Sequence, residues 1–297
     1  MKQARRLSLT VSTIVTASLV SACAENVVTN PGGPGSDGAT HPGFDTSLYP
    51  GDGAMVAWRK PSSPYEWAGY YLQAPCHRDP SWMGKRATLT SMGWGLAVLY
   101  VGQQTFDGVP IVESGSQSRS SRGIPLTRSL VISPMSDNDA AFLVTCSRTL
   151  LTTEQGATDA IDAAAKTASE GFPNGTTIFL DIEHMDVIPP SMDAYYRAWV
   201  QQILADGRFR PGIYVHKANA DAIHTGVVQA YADMHATGSA QFWLTGSTGF
   251  DLSRSPRESG FSFANLWQGI YEVDQTWNGA TINIDVDVAD RSSPSAP

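Results

Sequence analysis

The chain has 297 residues, 42% hydrophobic and 16% charged, which is enough for one large core and gives no disorder signature outside the ends. Its formal charge is −8. Such a surface repels phosphate backbones and excludes nucleic acid as an expected partner, while leaving neutral sugars open.

The first element is a leader. Lys2, Arg5 and Arg6 precede a mainly apolar stretch from Leu7 to Leu19, and Val20-Ser21-Ala22-Cys23 resembles the lipobox of bacterial lipoproteins. The stretch is too short to span a membrane stably, and it ends in small residues that suit a peptidase. Residues 1–23 are therefore expected to form a signal peptide ending at Cys23. Lipidation there would anchor the exported protein to a membrane. Cleavage at a nearby small residue, giving a secreted form, is the alternative. Arg5-Arg6 leaves the general and twin-arginine export routes both open.

Residues 24–40, with Pro31-Gly32-Gly33-Pro34-Gly35, read as a linker, and a single domain is expected over 41–290. Strand-like runs fall near Gly43–Asp45, Trp67–Leu72, Leu96–Gly102, Thr176–Glu183, Gly212–His216, Gln241–Thr245, Asn265–Gly269 and Thr281–Val288. Between them, helical patterns cover 53–60, 81–92, 156–170, 191–205 and 219–236. The best of these repeats alanine at helical spacing from Ala157 to Ala168 and stops at Gly171 and Pro173. Eight strands, mostly with helical crossovers, predict an α/β fold, a single (β/α)8 TIM-like barrel. The stretch of about 104–150 is too long for a simple connection and is expected to be a hairpin-like insertion. Residues 291–297 read as a frayed tail.

With Cys23 assigned to the anchor, Cys76 and Cys146 remain as an even pair in an oxidising compartment. They are expected to form a disulfide tying the insertion to the rim of the barrel, two unpaired buried thiols being the alternative.

The chemistry concentrates in Asp181-Ile182-Glu183, which closes the apolar run Thr177-Ile178-Phe179-Leu180. Side chains alternate along a strand, so both acids project to one face, with Cα atoms ~7 Å apart. Two carboxylates at the mouth of a buried strand carry a desolvation cost that folds seldom retain without chemistry or binding. Asp45 follows the first strand, and Asp285 and Asp287 fall in the last, Asp285 being the preferred one. Barrel active sites sit at the C-terminal ends of strands, so these acids are expected to meet at one mouth. Sugar rings pack on aromatics and bond to amides, which nominates Tyr214, Trp267 and Gln268, then Tyr70, Tyr100, Gln103 and Trp243, as substrate contacts. Other chemistries fit poorly. The six histidines lack His-Glu-x-x-His spacing, no cysteine cluster suits zinc, and no Gly-x-Ser-x-Gly elbow occurs. A hard cation such as Ca2+ on the acid pairs is a minor alternative, and no cofactor is expected.

These residues, in their order, resemble a bacterial glycoside-hydrolase-like family of secreted barrels. The likeness is carried by Gly43-Phe44-Asp45, Tyr100-Val101-Gly102-Gln103, Ile178-Phe179-Leu180-Asp181-Ile182-Glu183, Gly212-Ile213-Tyr214, Leu266-Trp267-Gln268 and Ile284-Asp285-Val286-Asp287. That family is similar in turn to the Chalaropsis-type lysozymes, which cleave peptidoglycan between N-acetylmuramic acid and N-acetylglucosamine. The resemblance implies a cell-wall glycan substrate, Glu183 as general acid, and Asp181 as electrostatic partner or orienter of the acetamido group. Asp45 and Asp285 would correspond to the first-strand and last-strand acids. A non-catalytic glycan-binding barrel and an envelope lipoprotein with an interaction role remain as alternatives.

Overall fold

The computed structural model describes residues 39–106 and 146–297. The leader with Cys23, the linker up to residue 38 and the insertion from 107 to 145 lie outside the described residues. Eight strands close into a barrel, each hydrogen-bonded to the next in chain order and the last to the first. They are β1 His41–Asp45, β2 Trp67–Tyr71, β3 Gly95–Val101, β4 Thr177–Ile182, β5 Arg210–His216, β6 Gln241–Thr245, β7 Ala264–Trp277 and β8 Ala280–Ala289. Each expected strand is present, and the α/β barrel stands. Helices α1 Asp52–Trp58, α2 Arg86–Ser91, α3 Thr153–Ser169, α4 Pro190–Asp206 and α5 Ala220–Asp233 clothe it.

One strand departs from the expected pattern. β8 runs antiparallel to both β7 and β1. β7 runs eight residues past its expected end, to Trp277, and a hairpin turn at Asn278-Gly279 returns the chain into β8. Both turn residues have positive φ, 51° and 84°, as a tight two-residue hairpin requires. The alternation of apolar residues in β8 fixes which side chains point inward, but it is blind to the direction in which the strand runs.

Side-chain parity divides the core. Trp67, Ala97, Leu99, Phe179, Trp243 and Leu266 fill the interior of the barrel. Residues of opposite parity, such as Phe44, Val98, Leu180 and Ile213, pack outward with the helices. Gly43 makes the interior possible, because a Cβ there would lie 2.0 Å from the Trp67 ring. Helix α3 places Ala160, Ala163 and Ala164 against this outer layer, and Thr152 caps it by accepting the Gln155 N–H.

Residues 291–297, expected to fray, are instead docked on the N-terminal ends of β3 and β4. The Ser295 N–H donates to the Leu96 carbonyl, and its own carbonyl accepts the Thr177 N–H. Its hydroxyl oxygen accepts the Val98 N–H at 2.8 Å. The segment supplies backbone partners that the two strand ends lack, and this holds it down. Cys76 and Cys146 form the expected disulfide.

Candidate active site

Strands β1 and β8 meet with Asp45 opposite Asp285 and Gly43 opposite Asp287. The antiparallel run of β8 explains why acids from the middle of a strand reach the mouth. The chain enters the barrel there, so Asp285 comes first and Asp287 lies one layer deeper. Gln268 of β7 ties the two upper acids together, its Nε2 donating to Asp45 Oδ2 at 2.6 Å and to Asp285 Oδ2 at 3.1 Å. The Tyr214 hydroxyl donates to Gln268 Oε1 at 2.7 Å, which fixes the orientation of that amide. Tyr71 donates to Asp45 Oδ1 at 2.6 Å. The backbone N–H of Glu272 donates to Asp285 Oδ1 at 2.6 Å, from a residue held at φ 49°. Asp287 is fully buried and accepts the Trp243 indole N–H on Oδ1 at 2.9 Å, while its Oδ2 has no hydrogen-bond partner among the described residues.

Across the ring, β4 carries the other pair. Asp181 continues the inward row of Phe179, is 6% exposed, and leaves Oδ1 without a hydrogen-bond partner. Glu183 lies just past the end of β4 and its side chain is exposed to the cleft. The cleft above these acids has a volume of about 500 Å³, and Glu183, His184, Tyr214, His216, Tyr271 and Asp285 are among the residues lining it. A smaller cavity of about 130 Å³ sits at the opposite end of the barrel, beside Trp94 and Ser295, and holds none of the acids.

Among the described residues, none of the five acids is paired with Lys or Arg. Burial therefore acts on them unopposed by any cation of that kind. It pushes Asp287 well above the ordinary carboxyl range, helped by the charges of Asp45 and Asp285. It does the same to Asp181, helped by Glu183 and Asp45. Asp285 is pushed up to about 7, by burial first and then by Asp45. Asp45 is raised by burial, with its hydrogen bonds from Tyr71 and Gln268 acting the other way. Glu183 is raised by desolvation and by Asp45, with His184 acting the other way. Its side chain still reaches cleft water, which limits the burial penalty on it. Among the described residues no group of His, Cys, Asp and Glu side chains is arranged to hold a metal ion.

The structure brings Asp45, Asp181, Glu183, Asp285, Asp287, Tyr214 and Gln268 to the one mouth. Five other nominated residues fall elsewhere. Tyr70 points outward, donates to Glu170 and packs on Trp82 and Phe172. Tyr100 also points outward, donating to Asp162 of α3 at 2.9 Å. Trp267 is buried beneath the segment that follows β6, its N–H on the Gly246 carbonyl at 2.8 Å and Lys217 lying 4.1 Å from its ring centroid. Strand parity is the reason in all three cases, since each sits one residue from an inward position. Gln103 is buried and accepts the Ser147 N–H at 2.9 Å, fastening the disulfide segment and making no wall of the cleft. Trp243 does point inward, but it is fully buried as the floor under Asp287 and Tyr214.

Other residues of the site were not nominated. Tyr71 shares the parity of Asp45 and could have been found by counting two residues on from Gly69. His184, which strand alternation would turn away from Glu183, lines the cleft with it, because β4 ends at Ile182 and alternation ends there too. His184 meets His216 edge to face at 4.7 Å. Tyr271 and Glu272 belong to the unforeseen extension of β7.

No curated protein matches the chain. Among solved structures, an uncharacterized B. stearothermophilus protein is 15% identical, with a TM-score of 0.53, over 84% of this chain and 96% of that one, and it shares the fold. A bacterial lysozyme from Streptomyces coelicolor is 14% identical over 83% of this chain and 90% of its own, with a TM-score of 0.46. The Mycobacterium tuberculosis Tat-secreted protein Rv2525c, in complex with L-tartrate, is 15% identical over 84% and 94%, with a TM-score of 0.44. The model of one family, described as Rv2525c-like, glycoside hydrolase-like domain, matches residues 56–289. That span begins inside α1, so Asp45 lies outside it although β1 is what closes the ring. With most of its length matched, and with the barrel in place, the chain belongs to the Rv2525c-like, glycoside hydrolase-like family.

Proposed function

We propose that this protein is an exported glycoside hydrolase acting on a cell-wall glycan of the peptidoglycan type, with Glu183 as general acid. One observation carries the reading: Glu183 and Asp285 line a single open cleft, over three more acids that no Lys or Arg among the described residues neutralises. β4 and β8 lie four strands apart in a ring of eight, so the two carboxyls stand on opposite walls. A sugar chain between them would meet an acid on each side, as glycoside hydrolysis requires.

Glu183, raised by its walls and by Asp45, keeps a proton to give to the leaving oxygen. Asp181 beside it stays neutral and can donate to an acetamido group. The Asp45 carboxyl lies under the cleft, where positive charge develops on the sugar ring in the transition state. A purely glycan-binding barrel would need aromatic platforms. Tyr214 and Tyr271 line the cleft, but Tyr70, Tyr100, Trp267 and Trp243, nominated for that role, sit in walls and floor, which favours catalysis.

Residues 1–23 would direct export, and lipidation of Cys23 would tether the protein to the membrane. The Cys76–Cys146 bridge supports an oxidising compartment. The test is release of reducing ends from purified peptidoglycan. Glu183→Gln should lower that release by about 100-fold or more with an unchanged melting temperature. Full release by that variant overturns the assignment, and calorimetric binding with no product after long incubation would favour the binding module.

A further inference from the structure

We propose that Gln104 is a positioning residue for Glu183, clamping the end of β4 over the cleft; this rests on Glu183 being the general acid. β3 and β4 pair in register as far as Val101 and Asp181, and β4 ends at Ile182. The Gln104 side chain continues the ladder beyond that point. Its Nε2 donates to the Asp181 carbonyl at 2.9 Å, and its Oε1 accepts the Glu183 N–H at 3.1 Å. One primary amide thus does what a further peptide unit of β3 would do, satisfying the backbone on both sides of Ile182.

The clamp matters because the Glu183 carboxyl makes no hydrogen bond of its own among the described residues. Its place over the cleft is set by the backbone that carries it. Gln104 is 1% exposed, so its amide has little water to exchange these partners for. The loop beneath it is fixed as well. The Gln103 N–H donates to the Tyr195 hydroxyl at 2.9 Å, while its side chain holds Ser147, the residue after disulfide-bonded Cys146. The titratable groups around the cleft with Glu183 are Asp181 and His184 from its own strand end, Asp45 from β1, Tyr214 and His216 from β5, Tyr271 and Glu272 from β7, and Asp285 from β8. Moving Glu183 outward separates it from Asp45 and exposes it to water.

The test uses the full chain. Gln104→Met fills similar space and makes neither hydrogen bond. The carboxyl-carbon NMR titration of Glu183 should then shift its midpoint down toward ordinary glutamate, with the melting temperature near that of the parent. On peptidoglycan, kcat should fall about tenfold or more while KM changes little. Gln104→Glu should restore the rate at acidic pH, where the introduced carboxyl is protonated and can donate and accept as the amide does. An unmoved titration midpoint in Gln104→Met overturns the proposal, whether or not the glycan is turned over. Glu183→Gln measured alongside separates the two ideas. Full turnover there removes the general acid, whereas an inactive Glu183→Gln beside a Gln104→Met of parental rate and midpoint removes only the clamp.

Discussion

Asp287 shows most plainly what the site costs the fold. Its carboxyl is fully buried under Asp45 and Asp285, and one oxygen is held by the Trp243 indole. Burial raises it well above the ordinary value of 3.8, so from there upward the folded chain keeps a proton that the unfolded chain has released. A state that binds more protons loses stability as pH rises. Each unit by which a folded carboxyl is raised corresponds to about 1.4 kcal/mol forgone at a pH above both values. Asp287→Asn removes that titration, keeps an oxygen for Trp243, and offers an N–H to Asp45. Melting curves at pH 8 should show the variant more stable than the parent by more than about 1 kcal/mol. The gap should close as pH falls below 3.8, where the parental carboxyl is neutral in both states. A gap that does not change with pH would contradict the raised titration of Asp287. At this scale the acids were legible, since Asp-x-Glu and Asp-x-Asp on strand ends announce a shared face. Tyr70, Tyr100 and Trp267 were misplaced because the identity of an aromatic residue was weighed without its parity. The acids Asp45 and Asp181, with Gly43 and Phe179, had already set the inward register on their strands.

Elements came through the sequence more fully than their directions. All eight strands were found from apolar runs, and α3 from its alanines, because period and composition are local properties. The antiparallel run of β8 is a long-range property, and the one local sign of it, Asn278-Gly279 between two alternating runs, marks a hairpin only when it is read as one. The Cys76–Cys146 link was also foreseeable, from the compartment and from the even count. It closes a span of 70 residues, includes the insertion, and packs with Val101 against Tyr71, the donor to Asp45. Chain-entropy arguments assign a loop of that size about 4 kcal/mol. Cys76→Ser with Cys146→Ser should therefore lower unfolding stability by about 2–5 kcal/mol in denaturant titrations. Peptide mass analysis without reductant should show neither Cys76 nor Cys146 as a free thiol in the parent. Two free thiols, or equal stability of parent and variant, would contradict the bridge.

The whole molecule separates its functions by end. The mouth gathers acids whose burial costs stability, while the opposite end is sealed by residues 291–297, where Ser295 serves three backbone groups of β3 and β4. Gly95 records how closely the tail is docked, since a Cβ there would meet the Ser292 carbonyl oxygen at 1.8 Å. A polar stretch rich in serine and proline reads as a frayed end because its composition shows no apolar gain. Its attachment comes from backbone hydrogen bonds that composition does not encode. Deleting residues 292–297 strips partners from the Val98 and Thr177 N–H groups and from the Leu96 carbonyl. At about 1 kcal/mol for each hydrogen bond, the loss is on the order of 3 kcal/mol. For a domain of this size that is roughly 5–10 °C in melting temperature. The site lies at the other end of the strands, so KM and the pH profile of the truncated chain, measured well below its transition, should match those of the parent. An unchanged melting temperature would mean that the tail rests on the barrel without supporting it. A lowered temperature together with a shifted pH profile would mean that the two ends are coupled through the strands, and that the acids at the mouth depend on a seal formed at the far end of the barrel.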